Sequence, residues 1–199
     1  MIGRVLLLRH PPVARSWVGR CYGQSDMGPS RDGAAMGRLI VADLAMHGIT
    51  TVVHSDMRRT RPLAQAVARV ADCPAIADPR WRERDFASWE GRSWNAIWRE
   101  TGNEMDRIMT DPNGYHPGGG ETGADVTART VAAWCDLPRG GVTLVVAHGG
   151  SIAALRTWLA GDPLERMVAY IPAFGETVDV SAPADHGIRI GVPLSHRGG

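Results

Sequence analysis

Apolar residues fall along this chain in short runs separated by stretches with helical spacing. Gly3 to Leu8 is mostly apolar and stops at Arg9-His10-Pro11-Pro12, where proline removes ladder donors, so it predicts a buried strand opening into a loop. Residues 11–29 carry three prolines, several glycines and no helical period, and predict a long loop. Ser30 is placed to cap a helix running to about His47, with Leu39, Ile40 and Leu44 on one face and Gly48 as its stop. Thr50–Val53 predicts a second strand. Leu63, Val67 and Val70 predict a helix within Met57–Ala71.

The middle third changes texture. Trp81, Trp89, Trp94 and Trp98 crowd together ahead of a Pro117-Gly118-Gly119-Gly120 break, which predicts short helices and loops. Trp94 and Trp98 are one helical turn apart and are expected to pack inward rather than form a stacking platform. Asp125–Cys135 predicts a helix, Val142–Ala147 a strand, and Ile152–Leu159 a helix entered through His148-Gly149-Gly150-Ser151. Ala169–Ile171, Val178–Val180 and Ile188–Val192 are strand-like, and Arg197–Gly199 is expected to fray. Strands alternating with helices predict an α/β fold, a three-layer α/β/α sandwich with a mostly parallel central sheet. At 199 residues one domain over 1–199 is expected, with 81–121 as a helical and loop insertion over the active site.

Charge alters this picture little. Lys plus Arg number 22 against 21 Asp plus Glu, so nothing draws the chain toward nucleic acid or an anionic membrane, and any anion site must be local. Cys21, Cys73 and Cys135 are odd in number and form no Cys-x-x-Cys pair, so the expectation is a reducing cytoplasm with no disulfide framework or zinc cage. The apolar run Val5–Leu8 is too short for a signal peptide or a membrane span.

The chemistry gathers at strand ends. In open α/β sheets a ligand binds beyond the carboxyl ends of the strands, where Arg9-His10, Ser55–Arg59 and His148–Ser151 would converge, joined by Glu83 from the aromatic stretch. Arg9 and Arg59 offer fixed charge in a fork that suits phosphate oxygens. An imidazole unprotonated near neutrality can attack phosphorus, and His10 is better placed for this than His148. The departing alkoxide needs a proton, which a carboxylic acid can supply and later recover from water; Glu83 is the candidate and Asp85 the reserve. A metal reading would gather His10, His148, Glu83 and Asp85, but no local ligand spacing supports it and Arg9 would repel the cation. No metal and no cofactor are expected.

These residues resemble the histidine phosphatase (phosphoglycerate mutase-like) superfamily through four ordered motifs. Leu7-Leu8-Arg9-His10-Pro11 resembles its Arg-His motif, and Ser55-Asp56-Met57-Arg58-Arg59 its Ser-Pro-Leu-x-Arg segment. Glu83–Gly91 is similar to Glu-x-x-Phe-Gly-x-Trp-Glu-Gly, and Val146–Gly150 to the second-histidine motif. The resemblance implies a phosphoglycerate mutase-like fold, phosphorylation of His10, phosphate binding by Arg9, Arg59 and His148 with the adjoining Gly149, and proton donation by Glu83. The chain departs from the pattern at Asp56, Pro62-Leu63 and Ala87, where proline, Gln-Thr and glycine are usual. Gly19–Asp26 is similar to the Cys-Tyr-Gly-x-x-Asp loop of α-ribazole phosphatases, which act late in cobalamin synthesis. That likeness implies α-ribazole 5′-phosphate as substrate, with Gln24 or Ser25 donating to phosphate or a sugar hydroxyl.

Bland readings stand beside these. Glu83 could pair with Arg82 or Arg84, His148 could belong to a plain strand-to-helix turn, and Ser55 could cap the following helix. Arg58 and the histidines at 47, 54, 116, 186 and 196 are read as structural or solvent-facing. The expected activity is a cytoplasmic phosphomonoesterase whose partner is a small phosphorylated metabolite, with a homodimer left open. The competitors are a phosphoglycerate mutase, disfavoured by the short stretch from Gly91 to Glu121, and a phospholigand-binding protein without turnover.

Overall fold

A computed structural model describes residues 3–138, 140–180 and 189–190. Its elements run β1 (Arg4–Arg9), α1 (Arg31–Leu44), β2 (Thr51–His54), α2 (Arg61–Val70), β3 (Ala75–Ala77), α3 (Trp94–Thr101) and α4 (Arg107–Thr110). There follow α5 (Gly123–Cys135), β4 (Val142–Ala147), α6 (Gly149–Ala160), β5 (Thr177–Asp179) and β6 (Arg189–Ile190). The strands form one sheet in the order β3-β2-β4-β1-β5-β6. The first four are mutually parallel, while β5 and β6 join antiparallel, so the sheet is mostly parallel as its alternating pattern predicts.

Continuous apolar runs suit strands covered on both faces. Leu6 and Leu8 of β1, with Leu144 and Val146 of β4, pack against Ile40 and Leu44 of α1 and Leu63 and Val67 of α2. The alternate residues Val5, Leu7, Val145 and Ala147 turn to the opposite face, against Trp134 of α5 and Ile152 and Leu155 of α6. Burying Val5 to Leu8 contributes on the order of 1.5–3 kcal/mol per side chain relative to exposure. Helix starts follow local chemistry: Ser30 Oγ accepts from the Gly33 N–H at the head of α1, and Thr122 and Asp125 form a reciprocal capping box on α5.

The sheet differs from expectation at its margins. Ala169–Ile171 is no strand, because Leu164–Tyr170 turns as a 3-10 helix after Pro163 and the place beside β1 goes to β5. β3 escapes the pattern reading because it is a three-residue edge strand whose side chains are all exposed. The second helix starts at Arg61, with Pro62 in its first turn, and α6 starts at Gly149, so the glycines of the second-histidine motif lie inside a helix. Leu39 and Val70 point to solvent, at 60% and 55% exposure, since the buried stripes run through Ile40-Leu44 and Leu63-Val67. Trp81 and Trp89 are buried and Trp94 half-buried, but Trp98 is 55% exposed, which corrects the inward packing expected of it. Within the predicted strand Ile188–Val192 only Arg189–Ile190 is described; His186, His196 and Arg197–Gly199 lie outside the described residues.

Parallel register delivers the chemistry. Arg9 stands opposite Ala147 and His54 opposite Val146, so Arg9-His10, Ser55 and His148 leave the sheet at one edge.

Candidate active site

His10 and His148 meet at that edge with ring centroids 5.1 Å apart, and both are buried. Their partners assign their protons. His10 Nδ1 lies 2.7 Å from the Pro11 carbonyl, which can only accept, so Nδ1 carries the hydrogen and Nε2 keeps its lone pair. His148 Nδ1 lies 3.0 Å from Arg59 Nε, which can only donate, so Nδ1 accepts and the hydrogen sits on Nε2. One ring therefore offers a nucleophile and the other a donor. Burial, then the charges of Arg59 and Arg9, press the His10 pKa down to about 3 against the lift given by the Pro11 carbonyl. Burial, then Arg59, hold His148 well below the ordinary imidazole value.

Arg9 is aimed by Phe174, whose ring centroid lies 3.8 Å from the guanidinium carbon, and by the Pro172 carbonyl, 2.7 Å from Nη1. Arg9 Nε and His148 Nε2 are buried donors without a partner among the described residues, an arrangement that suits an anion. Arg59 is different. Its Nε serves His148, Nη1 donates to the Ser25 carbonyl and Met27 sulfur, and Nη2 donates to the Gly23 carbonyl. It brings charge to both imidazoles while tying the N-terminal loop to His148.

Glu83 is no surface ion pair. Its Oε2 accepts from the Gly150 N–H at 3.0 Å, in the first turn of α6, and Oε1 from the Arg84 N–H at 2.9 Å. The neighbouring arginines are occupied elsewhere: Arg82 grips Asp56 and Arg84 donates to the Glu121 carbonyl. Asp85 turns away to accept from the Ala87 N–H. Gly149 passes close to Arg9, where a Cβ would sit 3.2 Å from the guanidinium carbon.

A crevice of about 260 Å³ opens beside the two imidazoles, lined by Arg9, Glu83, Gly149, Gly150, Tyr22 and Gly23 among others, with His10 and His148 themselves behind its lining. A larger groove of about 370 Å³ between α1 and α2 meets the chemistry only at Pro11 and Arg59. Ser25 does not fulfil the donor role expected of it, because its hydroxyl is committed to Glu90 at 2.5 Å. Gln24 uses its backbone N–H on the same carboxylate, and neither residue lines the crevice. Ser55 Oγ caps nothing; Thr60 Oγ1 makes that turn by donating to the Ser55 and Met57 carbonyls. Arg58 is exposed, and His54 is buried with Nδ1 on the Ser55 carbonyl.

Four contributors escaped the sequence reading. Phe174 backs Arg9, and Tyr22 lies beside Arg9 with its phenol pKa raised chiefly by burial. Glu90 pins residues 24–25, and Arg129 of α5 donates to the carbonyls of Arg80, Arg82 and Glu83 while gripping Glu121. Two carried a signal, Glu90 as part of the Trp-Glu-Gly motif and Tyr22 as part of the Cys-Tyr-Gly loop. Among the described residues no group of three or more His, Cys, Asp or Glu is gathered closely enough to hold a metal ion.

Opposed imidazoles flanked by arginine at the carboxyl edge of a parallel sheet define a phosphohistidine type of site. The profile of the histidine phosphatase superfamily, branch 1, matches residues 5–178, and the chain belongs to that family. It is 31% identical over 172 residues to a probable phosphoglycerate mutase GpmB of Enterobacter sp. (strain 638), covering 80% of this chain and 76% of that protein. A mycobacterial glucosyl-3-phosphoglycerate phosphatase superposes with a TM-score of 0.79 at 26% identity, covering 89% of each chain. An α-ribazole phosphatase from Shigella flexneri shares the fold at a TM-score of 0.75 and 20% identity, covering 88% of this chain and 89% of that one.

Proposed function

We propose that this chain is a metal-independent phosphomonoesterase in which a small phosphorylated metabolite passes its phosphoryl group to His10 Nε2 and then to water. The supporting observation is the opposed protonation of the two imidazoles, a lone pair on one and an N–H on the other across 5.1 Å. Arg9 Nε and His148 Nε2–H bind the equatorial oxygens, where charge spreads during transfer. Glu83, protonated, gives its proton to the departing alkoxide; ionised, it takes one from the water that attacks phosphohistidine. Both half-reactions then use one carboxylate, held by the Gly150 N–H.

α-Ribazole 5′-phosphate is the named substrate to test first, on the likeness of the Gly19–Asp26 loop. The three cysteines are free thiols, which supports a reducing cytoplasm. No described helix is long and apolar enough to cross a membrane.

Hydrolysis of para-nitrophenyl phosphate, with and without chelator, tests the reading. Turnover should be indifferent to chelator, and His10→Ala should abolish both turnover and acid-labile phosphate trapped on protein. A His10→Ala protein working at the normal rate rules out the nucleophile. Isomerisation of 3-phosphoglycerate without phosphate release would favour the mutase instead.

A further inference from the structure

The lining of the crevice has two characters. One part is Arg9, Glu83 and the backbone of Gly149 and Gly150. The walls that complete it come from separate stretches of chain and are largely apolar: Tyr22, Phe86, Trp94, Ile108, Met167 and Ile171. Phe86 and Trp94 meet edge to face, with centroids 5.6 Å apart and planes at 86°, and so form a corner.

Two arginines also reach these walls, and each already gives two of its five N–H groups to backbone carbonyls. Arg84 is buried, gives Nε to the Glu121 carbonyl and Nη2 to the Tyr115 carbonyl, and lies 5.6 Å from the Phe86 ring centroid. Arg20 gives Nε to the Ser16 carbonyl and Nη1 to the Gly91 carbonyl. A ring of sugar hydroxyls seated against these six apolar side chains would give up water for few new partners. A flat hydrocarbon face would give up nothing polar. Space is adequate, since a cavity of roughly 150 Å³ accepts benzene and this crevice encloses about 260 Å³.

We infer that the alcohol half of the substrate carries a flat apolar group, so that the site selects aryl-bearing phosphate monoesters, aryl-bearing sugar phosphates included, over phosphates of glycerol and of sugars without an aryl group. The inference rests on reading the crevice as a phosphate-ester site, with Trp94 and Phe86 as its specificity-determining residues.

Calorimetry with two phosphonates, which cannot be hydrolysed, tests it on the unmodified protein. 2-(1-Naphthyl)ethylphosphonate should bind roughly 10- to 100-fold more tightly than 2,3-dihydroxypropylphosphonate. Trp94→Ala should compress that ratio severalfold, and a ratio measured within one sample is insensitive to the fraction folded. Equal binding, tighter binding of the dihydroxypropyl compound, or a ratio unmoved by Trp94→Ala overturns the selection. Phosphate release from simple esters is a separate readout. Its failure counts against the hydrolase reading, while the binding ratio still decides the apolar selection.

Discussion

Two identical side chains acquire opposite roles here through single neighbours. A carbonyl beside His10 Nδ1 and a guanidinium beside His148 Nδ1 force opposite tautomers, and burial keeps both rings neutral. Glu83 completes the set from a position where the Gly150 N–H orients its carboxylate. Glu83→Gln keeps that hydrogen bond but cannot give or take a proton. We expect it to slow alkyl phosphates by ~10²–10⁴-fold and activated aryl phosphates far less, because only a poor leaving group needs protonation. Rates of a phosphate series with graded leaving-group pKa check this, and equal slowing throughout would remove Glu83 from the donor role. The departure at Asp56 has a residue-scale explanation as well: its carboxylate forms a two-pronged pair with Arg82, and those hydrogen bonds lower its pKa.

At the scale of elements, the departure at Ala87 has a backbone consequence. Ala87 sits at φ 41°, in the left-handed region that an L side chain enters at a cost of about 1–2 kcal/mol. The Asp85 carboxylate holds this turn by accepting from the Ala87 N–H, and the turn carries Phe86 into the crevice wall. Ala87→Gly should therefore stabilise the protein by about 0.5–1 kcal/mol in urea unfolding, the glycine's extra unfolded-state entropy offsetting part of the relief. A loss of stability would show that the turn is unstrained. The strands and helices that place His10, Arg59 and His148 were legible because short continuous apolar runs mark strands buried on both faces and helical spacing marks the helices between them. What was not legible depends on pairing. β3 has no buried face to mark it, Ala169–Ile171 is too short for its period to separate strand from turn, and Trp98 lies on the solvent side of its helix. Arg129 gave no signal, since a lone arginine on a helix reads alike whether it meets water or three carbonyls. Ser25 misled because its loop motif says nothing of Glu90 across the fold.

For the whole molecule, two neutral imidazoles buried in one cationic site couple folding to acid. In the unfolded chain each ring takes a proton below its ordinary value of 6.5, whereas folded His10 resists to about 3 and His148 stays well below normal. The unfolded state thus binds more protons throughout that interval, and stability, complete above about pH 7.5, must fall as pH drops. Each ring contributes a slope approaching about 1.4 kcal/mol per pH unit, or about 2 kcal/mol lost by pH 5. Full burial leaves little solvent screening to discount. Carboxylates with lowered values, such as Asp56 and Asp125, act in the same direction but only nearer pH 4, so the window from about 7.5 to 5 isolates the histidines. Urea unfolding across that window should show falling stability, and His10→Gln should remove about half of the slope whatever its effect on stability at pH 7.5. An unchanged slope would mean that His10 accepts a proton in the folded protein as readily as in water, and the lone pair assigned to its Nε2 would then be lost as pH falls below about 6.5.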